Sequence, residues 1–251
     1  MFIKTYKTHK ITANENLFSI IDQYLPTLQE KSVVVITSKI ISLCQGNVVK
    51  NDGIVDKKDL IKQEADYYLE DETLSRFGVV IPTIKDNILI ANAGIDESNA
   101  NDYFVLWPKN LEEATTSIWK HLKEKHTIEN IGVLVTDSRL APLRWGITGV
   151  GLSWCGFEAV KNYVGTKDIF GKTLRMSQES ILDGLAAAAV VVMGEGDEQT
   201  PLAVIEDIPF VTFQDRPPTD KEKQTMRIKL EDDIYGKFLT SVTWKKGSEK
   251  S

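Results

Sequence analysis

Apolar and polar positions alternate along the chain in blocks that predict a mixed set of strands and helices. Residues 2–8 (FIKTYKT) have the alternation of a short edge strand. Asn14-Glu15-Asn16 precedes LFSIIDQYL, whose apolar residues recur at helical spacing, and Pro26 closes that helix. Ser32 to Ile41 (SVVVITSKII) is β-branched and almost continuously apolar, the pattern of a strand covered on both faces. Residues 57–76 are highly charged and read as a solvated helix. Phe77 to Pro82 and Asn87 to Asn92 read as two strands joined at Lys85-Asp86-Asn87. An amphipathic helix is predicted over Leu111–Lys125, and a buried strand over Ile131–Val135. Val150–Val164 is mixed, with Trp154, Phe157 and Tyr163 as core candidates. Ser180–Met193 is a helix whose alanines allow close packing. Short strands follow at Leu202–Ile205 and Phe210–Phe213, then a charged helix over Thr219–Leu239. Residues 240–251 read as a tail that frays.

Strands and helices mix without strict alternation, so the fold class is α+β, as one unit over residues 1–251. The composition is that of a globular protein, with 42% hydrophobic and 26% charged residues. Lys and Arg number 30 against 36 Asp and Glu, a net charge of −6. That balance argues against holding nucleic acid by bulk charge. Cys44 and Cys155 form no CxxC motif, which excludes a zinc or thioredoxin signature. No apolar run reaches the ~18 residues of a membrane span, and the first residues lack an apolar leader. A cytoplasmic protein is the expectation.

The candidate chemistry lies where apolar elements end. NILIANAGID places Asp96 after a strand and a glycine turn, IGVLVTDS places Asp137 at a strand end, and AAAVVVMGEGDE places Glu195, Asp197 and Glu198 after a helix. Three acids brought together without histidine suit a magnesium–nucleotide site rather than zinc, because hard cations prefer carboxylate and phosphate oxygens. The competing reading is that each acid caps its own turn. Glycines flank the acids at 94, 146, 149, 151, 194 and 196, where backbone N–H groups gain close access to phosphate oxygens. GVGLSW lacks the third glycine of a dinucleotide fingerprint, and GTKDIFGKT has one residue too many for a P-loop, so neither motif is assigned. Lys39 stands as one charge in an apolar segment beside Ser38, either snorkelling or gripping phosphate. Arg144 in PLRWG carries the same two readings. The three histidines are scattered, and no Ser-His-Asp or Cys-His set assembles.

The segments ITSKIISLCQG, NAGIDESN, LVTDS with PLRWGITG, DIFG and DGLAAAAVVVMGEG, in this order across residues 32–205, resemble the coenzyme F-420-0:L-glutamate ligase family. TSKI, DESN, LRWG and GEGDEQTPLAVIED resemble most the branch labelled as folate-metabolism gamma-glutamate ligases. The resemblance implies a nucleotide-dependent ligase that adds L-glutamate to a small acceptor, using GTP or ATP with Mg²⁺ or Mn²⁺. It implies an intertwined homodimer with the site in a groove. It implies metal ligands at Asp96, Asp137, Ser138 and Glu195. It implies nucleotide contacts at Ser38, Lys39, Asn99, Met193, Gly194, Gly196, Asp197, Glu198, Gln199 and Thr200. Arg144 and Asp137 are the expected catalytic pair. Two departures stand out: Leu140 and Ala141 replace the family's glycine and arginine, and Leu43 replaces a lysine. Less positive charge there points toward a flat folate-like acceptor over a phosphodiester-bearing deazaflavin. A binding protein of the same fold without catalysis is the alternative.

Overall fold

The β-branched run at Ser32–Thr37 forms β2, and its first five residues are all buried. In this computed structural model, which describes residues 1–70 and 80–247, β2 lies at the centre of a five-stranded mixed sheet. The flanking strands are β1 (Phe2–Tyr6), β8 (Ile131–Leu140), β9 (Ile147–Cys155) and β12 (Leu202–Glu206), in the order β1-β12-β2-β8-β9. Only β2 and β8 pair in parallel, from Ser32↔Ile131 to Thr37↔Thr136. The other pairings are antiparallel.

Both faces of this sheet are covered, which explains the unbroken apolar run. Val34, Ile36, Val133 and Val135 face α1 (Leu17–Tyr24), α2 (Ser38–Cys44) and α4 (Leu111–His126). Val33, Val35, Leu134, Ala203 and Ile205 face α5 (Ile181–Met193). The period of two along each strand sends alternate side chains to opposite cores. The helix caps are local: Asn16 accepts from Ser19 N, and Ser180 accepts from Asp183 N.

The alanines of α5 let it lie close to β9. A Cβ on Gly149 would stand 2.3 Å from the Ala186 carbonyl oxygen, and one on Gly151 would stand 2.3 Å from Leu182 Cγ. These two glycines therefore serve helix-on-sheet packing, not the phosphate approach expected of them.

The rest of the chain forms smaller units. β3 (Val48–Lys50) pairs with β7 (Tyr103–Val105), and β10 (Val160–Asn162) pairs with β11 (Gln178–Ser180). A four-stranded antiparallel sheet has the order β13-β4-β5-β6, from Lys245–Lys246, Tyr67–Tyr68, Pro82–Lys85 and Ile88–Ala91. α3 (Lys57–Glu64) precedes it, and α6 (Asp220–Thr225) and α7 (Gly236–Leu239) lie in the C-terminal segment.

Several boundaries differ from the sequence reading. The strand expected over 32–41 ends at Thr37, and Lys39 lies on α2. The helix expected over 57–76 stops at Glu64, before Tyr67–Tyr68 becomes a strand; residues 71–76 lie outside the described residues. Of the strand expected at Phe77–Pro82, residues 77–79 also lie outside them. Phe210–Phe213 is a loop holding one bridge, Phe157↔Phe213. The charged helix over 219–239 is broken into α6 and α7, since Thr219–Leu239 is rich in residues that favour solvent over a continuous apolar face. Lys245 and Lys246 of β13 pair with Tyr68 and Tyr67, and residues 248–251 of the expected tail lie outside the described residues. GTKDIFGKT is a tight hairpin closed by Asp168, whose carboxylate accepts from Phe170 N and Lys172 N. Among the described residues no helix is long and apolar enough to cross a membrane.

Candidate active site

The site forms where β2 hands over to α2. Thr37 is the last strand residue, and the turn into the helix brings Ser38 and Lys39 to the sheet's end. Parallel to it, β8 carries Asp137. This residue is not at the strand end, because β8 continues to Leu140. A register shift between Val135 and Thr136 locally disrupts the ladder with β9, just before Asp137. Such irregularities re-aim side chains.

Ser38 Oγ donates to Asp137 Oδ2 at 2.9 Å, and the Ser138 backbone N–H donates to Asp137 Oδ1 at 2.7 Å. Burial pushes the Asp137 carboxyl up to about 6, the nearby charge of Asp96 adds to this, and the two hydrogen bonds and Lys39 oppose it. Ser38 thus helps to orient the Asp137 carboxylate.

Asp96 arrives from another direction. After β6 the chain makes a single 3-10 turn, Asn92–Gly94, with Asn92, Ala93 and Gly94 all at positive φ. Gly94 is required here: a Cβ would stand 2.6 Å from the Trp107 ring and 3.7 Å from Asp137 Oδ2. Asp96 Oδ1 then accepts from Ser98 N and Ser98 Oγ, both at 2.8 Å. Its Oδ2 pairs with Lys39 Nζ at 2.6 Å. Desolvation works against ionisation, but Lys39 and the Ser98 donors outweigh it and hold Asp96 below the usual carboxylate range. Ser98 was not foreseen. Its signal was legible, since Asp followed two residues later by Ser is a local capping turn.

Glu195 follows α5, and Ser138 Oγ donates to its Oε1. Asn99 Nδ2 donates to the Gly196 carbonyl at 2.8 Å, tying the 96–99 turn to the 194–198 loop. That loop is closed on itself. Gly196 N donates to Glu198 Oε2 at 2.8 Å, and Thr200 Oγ1 donates to the Met193 carbonyl. The Gln199 carbonyl accepts from Thr8 N at 2.9 Å. Gly194, at φ +80°, leaves no room for a Cβ beside the Glu198 carboxylate, 2.4 Å away. Met193 points its side chain into the α5 core, so only its carbonyl serves the loop. Asp197 is exposed at the loop tip.

The expected residues therefore gather in two linked groups: Ser38, Lys39, Asp96 and Asp137 in one, and Ser138, Glu195, Asn99 and Gly196 in the other. Among the described residues no three His, Cys, Asp or Glu side chains are grouped so as to hold a metal ion. Arg144 is not brought in. It lies on the exposed turn between β8 and β9, where its backbone N–H donates to the Ala141 carbonyl at 3.3 Å. Leu43 is 5% exposed and packs with Ala100 and Val105, so it faces the core and no acceptor.

The protein also has a cleft of about 960 Å³, whose lining includes none of Ser38, Lys39, Asp96, Asp137 or Glu195. It runs past Val150–Trp154 on β9 and is walled by the β5–β6 turn, the start of α4 and the C-terminal segment. Trp107, Arg139, Leu140 and Ala141 line it. The Trp107 indole donates to Asp86 Oδ2 at 2.7 Å. Arg139 and Trp107 are near neighbours of the carboxylate centre, the first two residues beyond Asp137 and the second against Gly94.

The chain is similar in sequence to known proteins. A family model described as F420-0:Gamma-glutamyl ligase matches residues 5–207. The coenzyme F420:L-glutamate ligase of Methanocaldococcus jannaschii is 32% identical over 209 residues, 78% of this chain and 83% of that protein. The protein of the same name from Methanococcus maripaludis strain C7 is 32% identical over 239 residues, 90% and 93% of the two chains. That of Methanosarcina barkeri is 31% identical over 211 residues, 80% and 82%. With the match covering the central sheet and every carboxylate of the site, the chain belongs to the F420-0:gamma-glutamyl ligase family and is an enzyme of the ligase class.

Proposed function

We propose that this enzyme joins L-glutamate to the carboxyl group of a small acceptor, using a nucleoside triphosphate and a divalent cation. The observation that carries the reading is the pair Asp96 and Asp137, each fixed by two kinds of donor and close enough for the charge of one to act on the other. Mg²⁺ and Mn²⁺ bind through one or two carboxylates and take substrate phosphate oxygens for the remainder. An all-oxygen carboxylate pair fits that demand. Asp96 and Asp137 would hold the ion, with Ser138 and Glu195 supplying further oxygens from the α5 side. When bound, the ion neutralises charge gathering on the transferred phosphoryl group.

The residues of the chain do the rest. Ser38 and the Ser138 N–H aim the Asp137 carboxylate. Lys39 adds positive charge at the phosphate side, and the 193–200 loop, stiffened by Glu198, Thr200 and Asn99, offers backbone N–H groups for the nucleotide. In the chemistry we favour, an acceptor carboxylate oxygen attacks the γ-phosphorus and the nucleoside diphosphate leaves. The glutamate amine then attacks the acyl phosphate carbonyl, the amine loses a proton, and inorganic phosphate departs. No protein nucleophile is needed. GTP and ATP both suit this scheme.

The cleft beside Trp107 and Arg139 is our candidate seat for the acceptor. The named relatives act on coenzyme F420. Here Leu140 and Ala141 make one wall apolar, which favours a flat folate-like acceptor, while Arg139 leaves a cation for a carboxylate or phosphate. Incubation with glutamate, GTP or ATP, and each acceptor tests the reading. One glutamyl unit added to an acceptor, with release of one phosphate, is expected. No mass gain and no nucleotide hydrolysis with either acceptor class would refute it.

We also read the protein as a homodimer. Two turns carry large apolar side chains outward: Leu143 and Trp145 between β8 and β9, and Ile169 and Phe170 at the tip of the 165–173 hairpin. Contiguous exposed apolar patches mark association surfaces.

A further inference from the structure

Lys39 is the second residue of α2, and its ammonium is held at three points: Asp96 Oδ2 at 2.6 Å, the Ser98 carbonyl at 3.0 Å and Ser98 Oγ at 3.4 Å. Its charge also acts on Asp137. The other Asp96 oxygen is already taken, accepting from both Ser98 N and Ser98 Oγ. Asp137 has each oxygen engaged as well, by Ser38 and by the Ser138 N–H. The carboxylate pair is therefore built around an internal cation.

We propose that Lys39 and a divalent metal ion compete for Asp96 Oδ2, so that metal entry must displace the lysine ammonium from that oxygen. This inference rests on the metal-dependent reading above. An ammonium nitrogen 2.6 Å from Oδ2 and an ion ~2.1 Å from the same oxygen stand only roughly 4 Å apart even on separate lone pairs, and two positive centres so close repel. Displacement is feasible because Lys39 has a flexible four-carbon stem and its side chain is about a quarter exposed, at 27%. The Ser98 contacts cost little to break, one being a long 3.4 Å hydrogen bond. The freed ammonium then has one chemically suitable partner entering with the ion, a phosphate oxygen of the nucleotide. Lys39 thus makes metal binding weak by itself and stronger with nucleotide present. A site without this lysine would bind the metal alone more tightly and gain less from the nucleotide.

The test is calorimetric titration of Mn²⁺ alone into the full-length protein stripped of metal by chelation, with a parallel thermal-shift series. Lys39→Met should bind Mn²⁺ at least about fivefold more tightly than wild type, the lower end of ordinary coupling between sites. Its melting temperature without Mn²⁺ should fall, since two carboxylates lose their shared cation, and its Mn²⁺-induced rise should exceed that of wild type. Lys39→Arg keeps the charge and should bind Mn²⁺ no more tightly than wild type. If Lys39→Met does not fold, Lys39→Gln, which is neutral, polar and one bond shorter, carries the same expectation. Wild type that binds Mn²⁺ beside variants that bind it equally or less tightly would overturn the competition while leaving the metal reading intact. Wild type with no Mn²⁺ response in either measurement would overturn both.

Discussion

Ser38 and Asp137, 99 residues apart, are joined by a hydrogen bond of 2.9 Å from the serine hydroxyl to the aspartate Oδ2. The bond spans the parallel pair β2 and β8, and it exists because Thr37 lies opposite Thr136 in that ladder. The next residue of one strand is therefore brought beside the next residue of the other. A helix begins on one side at Ser38, and a strand continues on the other through Asp137.

Asp137→Asn should cut metal-dependent turnover by about 10²- to 10³-fold in kcat, the scale on which a single preorganised electrostatic group acts. Folding should survive, because burial already makes the ionised carboxylate costly at this position. Circular dichroism and thermal melts at pH 7 would check the second half. A melting temperature several degrees below wild type would show that the carboxylate supports the core instead.

Gly94→Ala should destabilise the protein by roughly 1–3 kcal/mol and impair catalysis with it. The residue has φ +70°, and the new Cβ would stand 2.6 Å from the buried Trp107 ring. The turn must shift to relieve that contact, and Asp96 shifts with it. Urea unfolding measures the first effect and Mn²⁺ titration the second. Unchanged stability would mean that Trp107 yields without moving the turn.

Glu222 should make a pH-dependent contribution to stability. It accepts from Arg216 at 2.7 and 2.9 Å, and it closes the capping box of α6 with Thr219. Arg216 first, then the Thr219 and Gln214 donors, hold its carboxyl far below the usual range. A depressed folded-state value stabilises the fold above the unfolded value near 4.5 and is lost as pH falls toward the folded value. Glu222→Gln should therefore lower stability by about 1 kcal/mol at pH 7, allowing for the pair's exposure to solvent. The gap between wild type and variant should narrow steadily below pH 4.5. A gap that is constant from pH 7 to pH 3 would assign the effect to packing alone.

Trp145→Ser combined with Phe170→Ser should convert a dimer into monomer if the two exposed turns form the association surface. Trp145 is 94% exposed and Phe170 89% in the single chain, so neither substitution opens a cavity within the protomer. Light scattering across micromolar concentrations checks it. A wild-type protein of monomer mass would end the proposal.

The amino-acid sequence by itself determined the local elements with strong periodicity and the identity of the family. Val33–Ile36 and Ile131–Val135 are apolar on both faces, so they had to be central strands, and the alanines of 186–189 had to let a helix lie close to something. Asp96, Asp137 and Glu195 were visible as acids at the edges of such segments. Tertiary structure alone decided how they are used. Lys39 reads as a charge within a strand, because Ile40 and Ile41 continue the apolar run. Burial of Ile40 and Ile41 in the core shared with α1 and β8 accompanies the winding of those residues into α2, which places the lysine beside Asp96. Gly149 and Gly151 look like a phosphate loop in one dimension, yet the proximity of Ala186 and Leu182 makes them packing positions. Leu43 looks like a lost functional lysine but packs with Ala100 and Val105. Periodicity records whether a side chain is buried. It carries no information on which distant residue buries it, and hydrogen bonds such as Ser38 to Asp137 depend on that pairing.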